Sequence, residues 1–221
     1  MPGMDHTVPH AAAIILKPSP SVHSTLLRRR RRARVTSQET ESAFVMPTVT
    51  LRPICLEDAE QCYLWVTDPD VARYLGLVQG PVSVAHERAW ISSVLADAAH
   101  QRHFLLLDEQ ERPLGACGLR AINQEAGVAL LGLFIGHRAD WGKGYGTAAT
   151  QALLDYGFAE LGLREIRLSC HDDNRRAIRC YERAGFLPSL HRLEKSTFGR
   201  HEVRLAITRW RWEELRREEG A

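Results

Sequence analysis

The 221-residue sequence lacks the features that mark membrane proteins, disulfide scaffolds and zinc proteins. No apolar run approaches the ~20 residues of a membrane-spanning helix, and the longest, Val128 to Ile135, has the length of a strand. The five cysteines are odd in number and form no CxxC pair, which argues against a disulfide framework and a structural zinc site. We therefore expect no metal, no membrane partner and a reducing, cytoplasmic setting.

A positive net charge is absent outside the N-terminal segment. Residues 1–47 hold seven basic and three acidic residues, a net charge of +4, so residues 48–221 carry −2 of the chain's total of +2. A slightly acidic body does not suggest nucleic-acid binding by the folded part. Only the basic run from Arg28 to Arg34, RRRRRAR, could touch RNA or a membrane surface.

Three interpretations of the N-terminal segment stay open. Residues 1–47 are rich in Pro, Ser, Ala and Arg without sustained periodicity, which predicts a disordered basic extension. The segment also slightly resembles a transit peptide, because it is poor in acidic residues up to Glu39. Alternatively, Met46 is the natural start of the protein. The sequence then divides into this extension, a single domain over residues 48–215 and a short tail over residues 216–221.

The pattern of apolar residues predicts a mixed arrangement of strands and helices. Strands are predicted at Thr48–Arg52, Phe104–Leu107, Leu114–Leu119, Val128–Ile135, Glu165–Cys170, Phe186–Leu190 and Glu202–Ile207. Helices are predicted from Leu56, over Val84–Ala99, over Thr147–Leu161 before Gly162, and from the N-cap Asn174 to Gly185. Their predicted apolar positions include Tyr63 in the first helix, Leu95 in the second, and the stripe Ala149, Ala152, Leu153, Tyr156 and Ala159 in the third. Because the two kinds of element do not alternate strictly, the fold class is α/β in the mixed, α+β sense, with one sheet flanked by helices.

Three alternate glycines stand between the strand Val128–Ile135 and the helix Thr147–Leu161, in the stretch DWGKGYGTAAT. Such a turn lets the backbone approach a ligand, and its amides together with the helix dipole attract an anion, most often a phosphate. A Walker loop requires Ser or Thr where Gly144 stands, and a dinucleotide fingerprint requires a third glycine where Thr147 stands. Neither of these two phosphate-binding designs therefore fits.

A third design does fit. The stretch Trp141 to Gly146, WGKGYG, resembles the pyrophosphate loop Q/R-x-x-G-x-G/A of the GNAT (general N-acetyltransferase) superfamily, with Trp141 in place of Gln or Arg. The stretch Asp173 to Phe186, DNRRAIRCYERAGF, is similar to the N-x-x-A-x-x-x-Y-x-x-x-G-F signature of the same family. The form WGKGYGT, together with TDPDVARYLG and LGLFIG, looks like the branch of ribosomal-protein-alanine N-acetyltransferases. The resemblance covers roughly residues 48–215 and implies a twisted mixed sheet flanked by helices.

The resemblance implies acetyl-CoA as the acetyl donor and assigns residues to it. The backbone of the glycine turn would hold the pyrophosphate, Lys143 would add a positive charge, and the preceding strand would carry the pantetheine and acetyl group. Asn174, which an N-cap role explains by itself, would also hydrogen-bond the coenzyme. The implied coenzyme-binding residues are Leu133, Phe134, Ile135, Gly142, Lys143, Gly144, Tyr145, Gly146, Thr147 and Asn174. Tyr181 would be the general acid beside the coenzyme sulfur. The alternative interpretation is that Tyr181 is an aromatic side chain on the apolar stripe of its helix and packs in the core.

The proton acceptor for the amine is not evident from the sequence. An alkyl amine has a pKa near ~10.4 and must lose a proton before it attacks the thioester. Some relatives carry a glutamate at the position of Ser169. Ionisable side chains that could reach the amine are equally explained as surface charge, and no role is assigned to them: Asp108, Glu125, His137, His171 and Asp172. Cys180 is also given no role, because the family transfers the acetyl group directly.

Several acceptors stay open. The branch resemblance favours a protein N-terminal amine, and the alternative is a small amine such as a polyamine, an amino acid or an aminoglycoside. An acidic acceptor pocket would favour a polyamine or an aminoglycoside, and a neutral open groove would favour a peptide terminus. The alternative from a different functional class is a non-catalytic acyl-CoA-binding module. A monomer or a homodimer is expected.

Overall fold

The computed structural model describes residues 14–16, 46–75, 82–190 and 201–219, and for residues 14–16 only the backbone. Eight strands form one sheet in these residues: β1 (Ile14–Leu16), β2 (Val49–Pro53), β3 (Arg102–Leu107), β4 (Pro113–Asn123), β5 (Val128–Ile135), β6 (Glu165–His171), β7 (Leu187–Pro188) and β8 (Glu202–Thr208). The strand order is β1-β2-β3-β4-β5-β6-β8-β7. All neighbours pair antiparallel except β5 and β6, which are parallel.

Six α-helices accompany the sheet in the described part of the chain. They are α1 (Ala59–Val66) after a 3-10 turn at Leu56–Asp58, α2 (Pro69–Ala72), α3 (Val84–Ala96), α4 (Tyr145–Asp155) continued by a π-helical turn at Tyr156–Glu160, α5 (Arg175–Arg183) and α6 (Arg209–Glu219). None of these helices combines the length and the apolar character needed to cross a membrane. A mixed sheet with helices on both faces confirms the predicted fold class.

Alternate side chains of β3 enter two separate cores. Phe104 and Leu106 belong to the larger core, which α4, α5 and α6 cover. Leu105 and Leu107 belong to the smaller core, which α1 and α3 cover. This division follows from the two-residue period of a strand, whose successive side chains point to opposite faces. The sheet is therefore buried on both faces, which explains why its strands are continuous apolar runs in the sequence.

The predicted apolar stripe of the helix after the glycine turn is wrong in its last turn. The prediction placed Ala159 on the buried face, but Ala159 is exposed and Phe158 is fully buried. The cause is the π-helical turn, in which the amide of Leu161 donates to the carbonyl of Tyr156 five residues earlier, at 3.0 Å. A π-helical turn takes in one more residue than an α-helical turn, so the buried face shifts by one position.

The smaller core differs from the sequence prediction in its large side chains. Trp65 and Ile91 are buried at its centre, whereas the predicted Tyr63 is only partly buried and the predicted Leu95 is 47% exposed. Trp65 packs directly on the backbone at the end of β5. A Cβ atom at Gly136 would lie 2.2 Å from the Trp65 ring, so only glycine fits there. The smaller core thus fixes the point from which the glycine turn departs.

The two chain ends differ in how they join the fold. From the predicted extension over residues 1–47, the described residues are β1, which pairs with Val49–Leu51 of β2, and residues 46–47. The basic run from Arg28 to Arg34 lies outside the described residues. At the other end, α6 packs on the larger core through Trp212 and Leu215. The helix continues to Glu219, so the predicted tail over residues 216–221 begins as helix.

Candidate active site

Strands β5 and β6 separate to form a cleft in the middle of the sheet. Their parallel pairing joins Val128–Leu130 to Glu165–Arg167 and stops there, although both described strands continue. A cavity of about 550 Å³ lies at this separation, with lining residues from Leu131–Ile135 on one side and Ser169 and Cys170 on the other. Backbone amides and carbonyls on an unpaired strand edge can hydrogen-bond an extended ligand.

The glycine turn lies at one end of this cavity. Gly142 and Gly144 have φ angles of +80° and +95°, in the left-handed region that glycine adopts without steric cost. Gly144 is the N-cap of α4, and no side chain caps the helix there. The first amides of α4 are therefore left without a capping side chain and suit an anion, since the helix dipole adds positive potential. The turn fits the pyrophosphate of a coenzyme.

An ion-pair network fixes the glycine turn to the hairpin between β3 and β4. The two carboxylate oxygens of Asp140 accept hydrogen bonds from Arg112 at 2.7 and 3.2 Å and from Lys143 at 3.0 Å. Arg112 also donates to Asp108 at 2.9 Å. Asp140 is buried, and its hydrogen bonds with Arg112 hold the pKa of its carboxyl group below the usual range. The turn is thus held in place by the charge of Arg112, which comes from outside it.

Trp141 connects three elements at the head of the turn. Its indole nitrogen donates to the carbonyl of Ile135 at 2.9 Å, at the end of β5. The guanidinium of Arg176, on α5, lies 3.7 Å from the centroid of the Trp141 ring, a cation–π contact. Both side chains line the cavity. The tryptophan that departs from the usual loop pattern therefore has a structural role of its own.

Tyr181 lies on α5 at the centre of the cavity wall. It is 6% exposed, lines the cavity and contacts Phe186 edge-to-face at 5.9 Å. Burial raises the pKa of the Tyr181 phenol, so the hydroxyl keeps its proton at any working pH. Tyr181 therefore packs in the core, as one interpretation of the sequence has it, and its protonated phenol also lines the cavity. The general-acid role stays a prediction.

Asn174 has the N-cap role that the sequence predicts. Its side-chain oxygen accepts a hydrogen bond from the amide of Ala177 at 3.2 Å, and the residue also lines the cavity. Cys180, one turn before the end of α5, accepts a hydrogen bond from the hydroxyl of Thr147 at 3.6 Å, and its sulfur lies 3.8 Å from the hydroxyl oxygen of Thr150. Burial raises the pKa of the Cys180 thiol, which disfavours the nucleophilic thiolate.

Comparisons with known proteins agree with this geometry. A family model described as an acetyltransferase (GNAT) domain matches residues 48–187. The chain belongs to the GNAT acetyltransferase family. Acetyl-CoA is the acetyl donor of that family, so this protein is an acetyl-CoA-dependent N-acetyltransferase.

Relatives of the GNAT domain include enzymes with named acceptors. An uncharacterized N-acetyltransferase p20 of Bacillus licheniformis is 33% identical over 141 residues, which cover 62% of this chain and 78% of that protein. Aminoglycoside N(6')-acetyltransferase type 1 of Klebsiella pneumoniae is 26% identical over 150 residues, covering 63% and 74%. The crystal structure of spermidine N-acetyltransferase from Vibrio cholerae in complex with CoA and spermine has a TM-score of 0.66 at 23% identity, over 75% of this chain and 98% of that chain. A dodecameric structure of that spermidine enzyme is also known.

Most of the residues predicted to bind the coenzyme line one continuous cavity in the GNAT domain. These are Leu133, Phe134, Ile135, Gly142, Gly144, Gly146, Thr147 and Asn174, together with the predicted acid Tyr181. Lys143 and Tyr145 are not among the lining residues. Lys143 pairs with Asp140, and Tyr145 packs partly buried against the larger core. The side chains considered as proton acceptors, Asp108, Glu125, His137, His171 and Asp172, do not line the cavity either.

A further part of the cavity wall is formed by residues that sequence reasoning missed. Tyr74, Trp90, His103 and Arg120 line it. Trp90 contacts the His103 ring edge-to-face at 5.3 Å. His103 and Arg120 lie just outside the apolar runs from which strands β3 and β4 were predicted, so their strand positions went unnoticed. The alternation His103, Leu105, Leu107 was the available signal, since it puts His103 on an inward-facing position.

Proposed function

We propose that this GNAT domain transfers the acetyl group of acetyl-CoA directly to the primary amine of a small molecule. The observation that carries the proposal is the single cavity, which runs from the glycine turn past the unpaired edge of β5 to a separate group of aromatic and basic side chains. Such a cavity has room for a donor at one end and an acceptor at the other.

The donor is proposed to bind along the glycine turn and β5. The uncapped amides that begin α4 would hold the pyrophosphate. The unpaired edge of Leu133, Phe134 and Ile135 would hydrogen-bond the pantetheine amides in the manner of an added strand. Asn174 keeps its side-chain NH₂ group available for the coenzyme, because the N-cap bond uses only its oxygen.

The chemistry follows from the groups at the centre of the cavity. The neutral amine attacks the carbonyl carbon of the thioester, and a C–N bond forms as the carbonyl oxygen becomes an oxyanion. Backbone amides of the unpaired β5 edge would stabilise this oxyanion. The C–S bond then breaks, and Tyr181 gives its proton to the departing thiolate. The amine proton passes to water, because the lining carboxylate, Asp140, lies at the turn and is already paired with Arg112 and Lys143. Water then returns a proton to the Tyr181 phenolate, so that the products are the N-acetylated amine and CoA with a free thiol.

A small amine is favoured as the acceptor over a protein N-terminus. The aminoglycoside acetyltransferase that is 26% identical acts on a small amine by its name. Neither the relatives nor the solved structures named above support the ribosomal-protein-alanine branch or its protein acceptor, which stay predictions from the sequence.

All five cysteines are free thiols, which supports the expected reducing, cytoplasmic setting.

Tyr181→Phe tests the proposed acid. Loss of the phenol hydroxyl removes a proton donor worth about 10² to 10⁴ in rate, so we expect kcat to fall at least about 100-fold while KM for acetyl-CoA changes by less than about 2-fold. The measurement is CoA release with a thiol reagent across a panel of amines. Tyr156→Phe is the matched control, because Tyr156 packs against Phe104 and does not line the cavity.

The two failures of this test have different meanings. An unchanged rate in the Tyr181→Phe variant would remove the acid role and leave the transferase. Binding of acetyl-CoA in calorimetry without CoA release for any amine or peptide would favour the non-catalytic acyl-CoA-binding module instead.

A further inference from the structure

We infer that the acceptor is a primary amine that also carries a carboxylate, and that Arg120 binds this carboxylate. The inference rests on the proposed function and names the class of its acceptor. It comes from the end of the cavity that lies away from the glycine turn.

Arg120 is a half-buried arginine without a partner among the described residues. It lies near the end of β4 and lines the cavity, yet it makes no hydrogen bond and no ion pair with any residue that the structure describes. Two other half-buried arginines of the sheet are paired, Arg52 with Asp58 at 2.6 Å and Arg167 with Glu165 at 2.8 Å. A guanidinium removed from water calls for an anion, and its planar fork matches a carboxylate.

The position of Arg120 separates it from the coenzyme phosphates. Arg120 is opposite Leu130 in the register of β4 and β5, five residues before Ile135, after which the chain leaves the sheet for the glycine turn. At ~3.3 Å per residue, the distance along the strand is about 17 Å. The cavity has other arginines on α5, Arg176, Arg179 and Arg183, and Arg176 contacts Trp141 at the head of the glycine turn. Arg120 is therefore available to the acceptor.

The floor beside Arg120 is open. His103, Gly118 and Gly132 are neighbours across β3, β4 and β5 in the strand register. A Cβ atom at Gly132 would meet nothing within 4 Å, so a ligand can lie directly on the sheet there. Arg120 is two residues from Gly118 and thus on the same face of β4. A small acceptor on this floor can reach Arg120 at one end and Phe134, which lies on the same face of β5 as Gly132, at the other.

The acceptor end offers little to a polycation. The lining residues include one acidic side chain, Asp140, and it lies at the glycine turn with two cationic partners. Asp173, on the far side of Tyr74, is paired with Arg73 at 2.8 Å and with His171 at 2.7 Å. The undescribed segment 76–81 contains no acidic residue, and the segment 191–200 contains one against three basic residues. A polyamine would thus meet Arg120 without compensating charge.

The test compares amines that differ by a carboxylate. The protein with saturating acetyl-CoA is assayed with three pairs, each an amino acid and its decarboxylated amine: L-phenylalanine and phenethylamine, L-leucine and 3-methylbutylamine, and L-lysine and cadaverine. Spermidine and kanamycin are assayed in addition. We expect kcat/KM to be at least about 100-fold higher for the carboxylate member of the preferred pair, since a half-buried arginine without a partner among the described residues disfavours the analogue that lacks the anion. The readout is CoA release.

Variants of Arg120 connect the preference to the side chain. Arg120→Gln should lower kcat/KM for the preferred amino acid by at least about 30-fold and leave its decarboxylated partner within about 2-fold, whereas Arg120→Lys should retain part of the preference. Arg102→Gln is the matched control, because Arg102 is a half-buried arginine of the adjacent strand that donates to the Gln101 carbonyl at 2.9 Å and does not line the cavity.

Two outcomes overturn the inference while the proposed function stands. One is a higher kcat/KM for spermidine, kanamycin or the decarboxylated amines than for the amino acids. The other is an equal effect of Arg120→Gln on both members of a pair. If no amine causes release of CoA, the proposed function fails. Calorimetry of amino-acid binding to CoA-loaded protein then tests the inference about Arg120 separately. Absence of binding by all three amino acids would then overturn the inference.

Discussion

At the scale of single residues, His103 shows how the acceptor end couples to the stability of the fold. Burial, with a smaller contribution from the charge of Arg120, lowers the pKa of His103 to about 4 from an ordinary 6.5. Its Nε2 atom is buried without a hydrogen-bond partner in the described part of the chain. The unfolded chain therefore binds a proton at this ring between pH 6.5 and 4 that the folded chain does not bind. Stability should be complete above pH 6.5 and fall as the pH falls through this window.

His103→Gln tests this coupling, because glutamine does not titrate. The 2.5-unit difference in pKa corresponds to at most about 3 kcal/mol, so the wild type should lose up to that much more unfolding free energy than the variant between pH 7 and 4. Urea denaturation at several pH values measures both proteins. Other groups that titrate in this range are common to the two proteins and cancel in the difference. Parallel pH profiles would refute the burial of a neutral imidazole.

The residues that could be predicted are those with a local cause. The left-handed glycines at Gly142 and Gly144 and the N-cap at Asn174 follow from the order of residues along the chain, and the structure has all three. Arg120 could not be recognised as unpaired, because pairing depends on residues brought together by the fold. The same holds for Lys143, whose partner Asp140 is itself fixed by Arg112 from another hairpin.

At the scale of elements, the glycine turn depends on a carboxylate that holds it to the β3–β4 hairpin. Asp140→Asn keeps the size of the side chain and removes the charge that Arg112 and Lys143 share. Arg112 and Lys143 would then lose the buried anion that they share, which should loosen the turn. We expect KM for acetyl-CoA to rise about 10-fold, with kcat within about 2-fold. Steady-state kinetics at saturating amine measures both constants.

The control for the turn lies at the other end of the same helix. Asp155 ends α4 and accepts hydrogen bonds from Trp212 at 3.0 Å and Arg216 at 2.7 Å. Asp155→Asn should therefore lower the melting temperature and leave KM for acetyl-CoA unchanged. Equal KM values for Asp140→Asn and the wild type would show that the turn keeps its shape without the ion pairs.

Element boundaries show why the cleft could not be predicted. The sequence predicts β5 as Val128–Ile135, which the structure confirms, and β6 to within one residue. Their separation after Leu130 depends on pairing between distant strands, which no local pattern encodes. The sequence thus predicts the two walls of the cleft and not the gap between them. The position of the cleft beside β5 is indicated only by the family resemblance, which implies that a coenzyme binds along this strand.

At the scale of the whole molecule, the two chain ends should contribute unequally to the fold. In the described residues, the N-terminal segment adds three backbone pairs between Ile14–Leu16 and β2. The C-terminal helix adds Trp212 and Leu215 to the larger core, and Arg209 donates to the carbonyls of Leu163 and Phe158 at the end of the π-helical turn. The difference is one of buried apolar surface, which dominates stability.

Two truncations measure this difference. A chain that begins at Met46 should bind acetyl-CoA as the full chain does, with a melting temperature within about 3 °C of it. A chain that ends at Thr208 loses two apolar side chains from the larger core, and full burial of such a side chain is worth about 1.5–3 kcal/mol. Because 1 kcal/mol shifts the midpoint by about 2–4 °C at this size, this chain should melt at least about 6 °C lower. Scanning calorimetry compares the three chains. A Met46 chain that fails to fold would show that the domain boundary at residue 48 is wrong and that part of the basic extension belongs to the folded unit.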